Sequence, residues 1–158
     1  MSMMHRVYGM AAAVFAADQL SKLYVLKVLE LPVVKHLEVF PPYFQLHMAW
    51  NYGINFGLLS GGTAVTRILL IGVALLITGW VGWWIRRETR PWAQISAGFL
   101  IGGAMGNVID RLVYGAVADF LNVTCCGIEN RFSFNIADIA IFAGAVGLVI
   151  FTGERKTT

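Results

Sequence analysis

The sequence predicts a membrane α-helical protein: four transmembrane helices with both termini cytoplasmic, plus a small β-element and a second loop on the outer face. Three observations lead there. Of 158 residues, 58% are hydrophobic and 13% charged, with a mean hydropathy of +0.68, whereas soluble domains carry roughly a quarter charged residues. The apolar residues gather into runs at about 7–29, 63–85, 92–112 and 134–152, each close to the roughly 20 residues needed to cross a bilayer core. Cations flank these runs: His5 and Arg6 before the first, Arg86, Arg87 and Arg90 between the second and third, Arg155 and Lys156 after the fourth. The positive-inside rule puts those places in the cytoplasm. Residues 1–158 read as one integral unit without linker or repeat. The cations form no patch, which excludes a nucleic-acid role.

The first run is interrupted by Asp18, Gln19, Ser21, Lys22 and Lys27. Val7 to Ala17 alone has the look of a cleavable leader. However, the apolar period resumes at Leu20, Leu23, Tyr24, Leu26 and Val28, and Asp18 pairs with Lys22 at i,i+4; a retained span is the better reading. Residues 30–60 follow as the outer β-element. Pro32 and Pro41–Pro42 oppose helix, and Phe44, Leu46, Met48 and Trp50 alternate with Gln45, His47 and Ala49 at strand period. Gly53 and Gly57 permit a sharp return to the membrane.

In the second run, Arg67 lies near the outer end, where it can snorkel, and Trp80, Trp83 and Trp84 beside Arg86 mark an interface anchor. Pro91 opens the third run at a tolerated first-turn position. Gly98, Gly102, Gly103 and Gly106 allow a neighbouring backbone close. Residues 113–133 read as a second outer loop; Val117, Val123 and Thr124 favour strand, but without clean alternation. Its adjacent Cys125 and Cys126 lack the spacing of a metal site, and a bond between them would be strained, so they read as two small loop residues. No metal or cofactor is expected.

These runs bring unusual side chains to one depth. Asp18 lies roughly 18 Å beyond Arg6 at about 1.5 Å per residue, and Asn107 roughly 22 Å past Trp92. Asn107, Asp110 and Arg111 share one helical face at i, i+3 and i+4. Asp119 follows just outside, and Asp138 falls in the first turn of the inward-running fourth helix. Ionisable groups at membrane depth are costly and point to function. Two carboxylates at one site tend to share a proton, which is how an aspartic peptidase divides labour between activating water and polarising a carbonyl. A signal peptide enters with its positive end inside, so its cleavage point emerges at this level. A proton- or ion-coupled transporter using the same aspartates is the alternative, although the repeated halves common in transporters are not apparent. A non-catalytic scaffold is a third.

Five blocks then carry a resemblance: Asp18-Gln19-Leu20-Ser21-Lys22, Asn51-Tyr52-Gly53-Ile54-Asn55-Phe56, Gly102 to Arg111, Val117-Ala118-Asp119-Phe120 and Phe134-Asn135-Ile136-Ala137-Asp138. Together and in this order they resemble the bacterial lipoprotein signal peptidases, signal peptidase II. The resemblance implies a four-helix aspartyl endopeptidase of the bacterial inner membrane, with a periplasmic β-cradle and its site facing the periplasm. The implied substrate is a diacylglyceryl-modified prolipoprotein, cut before the lipidated cysteine. Membrane lipid and cyclic peptide inhibitors such as globomycin are implied as further partners. Carried over by motif, Asp119 and Asp138 are the catalytic pair. Asp18, Lys22, Asn51, Gly53, Asn107, Asp110, Arg111 and Asn135 bind substrate or support the site. Asn55 departs from the family pattern, which usually has a small residue there.

Overall fold

The computed structural model describes residues 3–53, 63–124 and 132–153. Asn55, Cys125 and Cys126 lie outside the described residues. The elements run α1 (Met3–Leu23), a π-helical turn (Tyr24–Val28), α2 (Leu31–Val34), β1 (His36–Phe40), β2 (Phe44–Asn51), α3 (Ala64–Trp84), a 3-10 turn (Ile85–Arg87), α4 (Pro91–Val113), β3 (Val117–Val123) and α5 (Ile136–Thr152). The long helices fall on the four apolar runs. Among the described residues, Ala64–Arg87 is the helix long and apolar enough to cross a membrane by composition, at a mean hydropathy of 2.2.

The fold is built around α4, which packs against α1, α3 and α5. Small residues set those distances. A Cβ on Gly98 would lie 2.8 Å from the Val7 carbonyl oxygen, and one on Gly102 2.5 Å from that of Ala11. The stripe at i, i+4 and i+8 ends at Gly106, where a Cβ would strike the Asp18 carboxylate. On its other side α4 meets α5 just as closely, with Gly103 against the Ala137 carbonyl and Gly144 against the Leu100 amide. Such approach is the packing mode of membrane helices, where van der Waals contact replaces the hydrophobic drive. At one end of the bundle Val7, Val81, Ile85, Ala93, Ala97 and Leu100 form an apolar cluster joining α1, α3 and α4.

At the other end lies a three-stranded antiparallel sheet ordered β1-β2-β3. The alternation read in residues 44–50 is that of β2, with Leu46 and Met48 buried and His47 exposed. Leu46, Met48, Ala118 and Phe120 pack with Val25 and Leu31, seating the sheet on the π-helical turn and α2. The second loop departs from expectation: much of it is β3, paired with β2 through Leu46↔Leu121, Ala49↔Asp119 and Asn51↔Val117. Residues 117–120 are buried in succession, so no alternation could betray the strand. Gly115, at φ 80°, makes the turn that lays β3 over the end of α4, a conformation open to glycine at little cost. Pro32 sits in the first turn of the short α2, where proline is tolerated.

Candidate active site

The site grows from five chain segments meeting where the sheet covers the bundle. Asp138 is the third residue of α5, and Asn135 is its N-cap. The Asn135 Oδ1 accepts from the Asp138 amide at 2.9 Å, and Asp138 Oδ2 accepts from the Asn135 amide at 3.3 Å. This reciprocal cap satisfies donors that a helix start otherwise leaves unpaired. The Asn135 Nδ2 donates to Asp119 Oδ1 at 2.6 Å, tying the β3 carboxylate to the α5 terminus.

A second amide completes the link. Asn107 on α4 donates from Nδ2 to Asp138 Oδ1 at 2.9 Å, while its Oδ1 accepts from Asn135 Nδ2 at 3.3 Å. Asp119 and Asp138 therefore hang from one pair of interlocked amides. Asn51, at the end of β2, donates to Asp119 Oδ2 at 3.0 Å and accepts from the Gly53 amide at 3.1 Å. The Gly53 carbonyl accepts from Arg111 Nη2 at 3.0 Å, and Arg111 Nη1 reaches the Asn107 carbonyl at 3.3 Å. Asp119 is 2% exposed, while Asp138 is partly exposed. Burial first, then the neighbouring charge of Asp138, push the Asp119 carboxyl up to about 7; the Asn51 and Asn135 donors and the Lys22 charge act the other way. A carboxyl so placed holds a proton near neutral pH beside a second carboxyl, the condition for paired acid–base work.

Beneath this layer, Asp18, Lys22 and Asp110 are removed from solvent, with 0%, 2% and 0% exposure. Lys22 Nζ lies 2.8 Å from Asp18 Oδ2 and 2.7 Å from Asp110 Oδ2. The i,i+4 pair read from the sequence is thus a trio. Gln19 was not singled out by sequence reading, yet its Nε2 lies 3.1 Å from both Asp18 Oδ2 and Asp110 Oδ1. Nothing in one sequence connects Gln19 to a residue 91 positions away; its place inside the Asp18–Lys22 block was the available signal. All ten residues anticipated for the site, Asp18, Lys22, Asn51, Gly53, Asn107, Asp110, Arg111, Asp119, Asn135 and Asp138, belong to this connected cluster. Among the described residues no His/Cys/Asp/Glu group is arranged to hold a metal.

Helices packed through small residues and capped by a sheet, with two carboxyls joined by shared amides at that junction, form the framework of a membrane aspartic peptidase. The signal peptidase (SPase) II family model matches residues 10–153, and the chain belongs to that family. It is 39% identical over 142 residues to the lipoprotein signal peptidase of a Methylobacterium species, covering 90% of this chain and 85% of that one. Identity to the lipoprotein signal peptidase of Rhodopseudomonas palustris is 40% over 146 residues, covering 89% and 88%. The fold is similar to that of a bacterial membrane enzyme solved by the in meso method at 2.3 Å, with a TM-score of 0.79 at 23% identity, covering 96% of this chain and 94% of that one.

Proposed function

We propose that this chain removes signal peptides from diacylglyceryl-modified prolipoproteins, cutting before the lipidated cysteine, with Asp119 and Asp138 as the reacting pair. The observation carrying this reading is that the two carboxyls, brought from a strand and a helix, are each held by one of two interlocked asparagines, Asp138 by Asn107 and Asp119 by Asn135. Asp119 enters protonated and hydrogen-bonds the scissile carbonyl oxygen. Asp138 takes a proton from the attacking water as its oxygen bonds to the carbonyl carbon, and Asp119 passes its proton to the forming alkoxide. On collapse, the proton on Asp138 goes to the leaving nitrogen and the hydroxyl proton returns to Asp119, restoring the starting state. Arg111, Gly53 and Asn51 border the position where the peptide would lie. The family relationship gives the transporter reading no support.

The membrane arrangement belongs to the same proposal: four spans with both ends cytoplasmic and the sheet on the periplasmic face of the inner membrane. The outward side chains support it, with Leu23, Val65, Ile68, Leu76, Phe142, Val149 and Ile150 all more than half exposed. Asp18, Lys22 and Asp110, which depress the hydropathy of α1 and α4, are turned inward. Exposed apolar area on this scale suits a lipid solvent. Arg87 stacks over Trp83 at 5.2 Å, an anchor suited to the cytoplasmic interface. Surrounding lipid and globomycin-type cyclic peptides are the further partners this reading entails. The test is to incubate purified protein in detergent micelles with a diacylglyceryl-modified preprolipoprotein and follow its mass. Shortening immediately before the lipidated cysteine is expected; an intact substrate, or an equal cut without the lipid, would overturn the reading.

A further inference from the structure

The ion trio below the pair connects to it in a pattern that packing alone does not require. Asp18 Oδ1 accepts from the Ala137 amide at 3.0 Å, and Asp110 Oδ2 accepts from the Ala118 amide at 3.2 Å. Each buried carboxylate thus grips the backbone one residue before a member of the Asp119–Asp138 pair. Lys22 joins the two carboxylates, and its third contact is Asn107 Oδ1 at 3.3 Å. An ammonium has three donors and no acceptor, so all three are used.

That last contact sets a direction. Because Lys22 can only donate, Asn107 must turn its oxygen toward Lys22 and its NH₂ toward Asp138. With that oxygen facing inward, Asn135 also meets it with its own NH₂, which continues to Asp119, leaving Asn135 Oδ1 for the Asp138 amide. Flipping either amide would set oxygen against oxygen.

We propose that Lys22 is a positioning residue for the peptidase reaction: it fixes the spacing of the β3 and α5 arms through Asp110 and Asp18, and it sets the donor direction of the Asn107–Asn135 relay. Gln19, bridging the same two carboxylates, assists the first task. This rests on the peptidase reading, and it differs from a structural ion pair in one consequence. Restoring charge balance without Lys22 restores the fold but not the relay.

The test compares wild type, Lys22→Gln and the double variant Lys22→Met/Asp18→Asn, purified in micelles and assayed on the lipidated preprolipoprotein alongside thermal unfolding. Asp18→Asn keeps an oxygen for the Ala137 amide and returns the cluster to its wild-type net charge, with Asp110 still held by Gln19 and the Ala118 amide. The double variant is expected to lose about 100-fold in kcat, the scale of a small misplacement, with KM within about threefold of wild type. Lys22→Gln, which keeps a donor, should fall between. The charged groups around Asp119 are Lys22 and Asp18 on α1, Asp110 and Arg111 on α4 and Asp138 on α5. Removing the α1 pair's ammonium should move the high-pH limb of kcat upward, because that cation favours ionised Asp119. If kcat simply follows the unfolding temperature across the three proteins, or the double variant cleaves like wild type at an unchanged pH profile, the positioning role is wrong. Failure of the wild type to cleave would overturn the peptidase reading beneath it.

Discussion

Asn135 holds Asp119 through Nδ2 at 2.6 Å while its own Oδ1 caps α5 on the Asp138 amide at 2.9 Å. One amide thus serves both the start of a helix and the geometry of the site. The two duties separate on substitution. Asn135→Ser keeps a good N-cap but loses the NH₂ that donates to Asp119. Its unfolding temperature should fall by no more than a few degrees, while kcat drops at least tenfold. A cleavage assay run beside a melting curve checks both, and near-normal cleavage would remove Asn135 from the site.

Asp119→Asn and Asp138→Asn should each reduce cleavage by about 10³-fold or more, in line with loss of an acid–base group, while both proteins purify as folded species. Substantial activity in either variant would dissolve the proposed pair.

The pH dependence follows from Asp119, whose carboxyl is raised from 3.8 to about 7. Cleavage requiring its proton should decline above about pH 7. Stability has a linked sign: with the folded value raised, the folded state holds a proton that the unfolded chain releases above about 4. The stabilisation relative to the ionised form is full below that point and is lost as pH climbs to about 7. At pH 8 Asp119→Asn should therefore be more stable than wild type, by up to a few kcal/mol, and the advantage should shrink toward pH 4. Melting curves across that range test it, and a pH-independent difference would show that Asp119 is not the buried acid.

Gly103→Ala should destabilise by about 1–3 kcal/mol, the usual scale of overpacking, because its Cβ would lie 2.5 Å from the Ala137 carbonyl oxygen. Gly72→Ala on α3 meets nothing within 4 Å and should leave stability unchanged or slightly raised through helix propensity. Equal behaviour of the two variants would contradict the close α4–α5 packing.

Much of this was readable from the chain because the physics behind it is local. The apolar runs gave the long helices, the alternation at 44–50 gave β2, and Asp18–Lys22 announced itself by helical spacing. What escaped was non-local. β3 hid because residues 117–120 are buried in succession, erasing the two-residue period that sequence reading depends on. Asp110 reads from the sequence only as a member of the face it shares with Asn107 and Arg111, and only the α1–α4 crossing at Gly106 shows it closing on Lys22. Gln19 carries no charge to flag it at all. The π-helical turn at 24–28 leaves the same apolar pattern as ordinary helix and was equally invisible.

Because Asp138 stands in the first turn of the last helix, most of the polypeptide must be synthesised before the second carboxyl exists. A chain ending after the β3 segment would present Asp119 without Asp138 beside it and without the amide of Asn135. If Asp119 and Asp138 are the reacting pair, proteolytic competence arrives in a single late event, the packing of α5 against α4, and a prematurely terminated product would lack it.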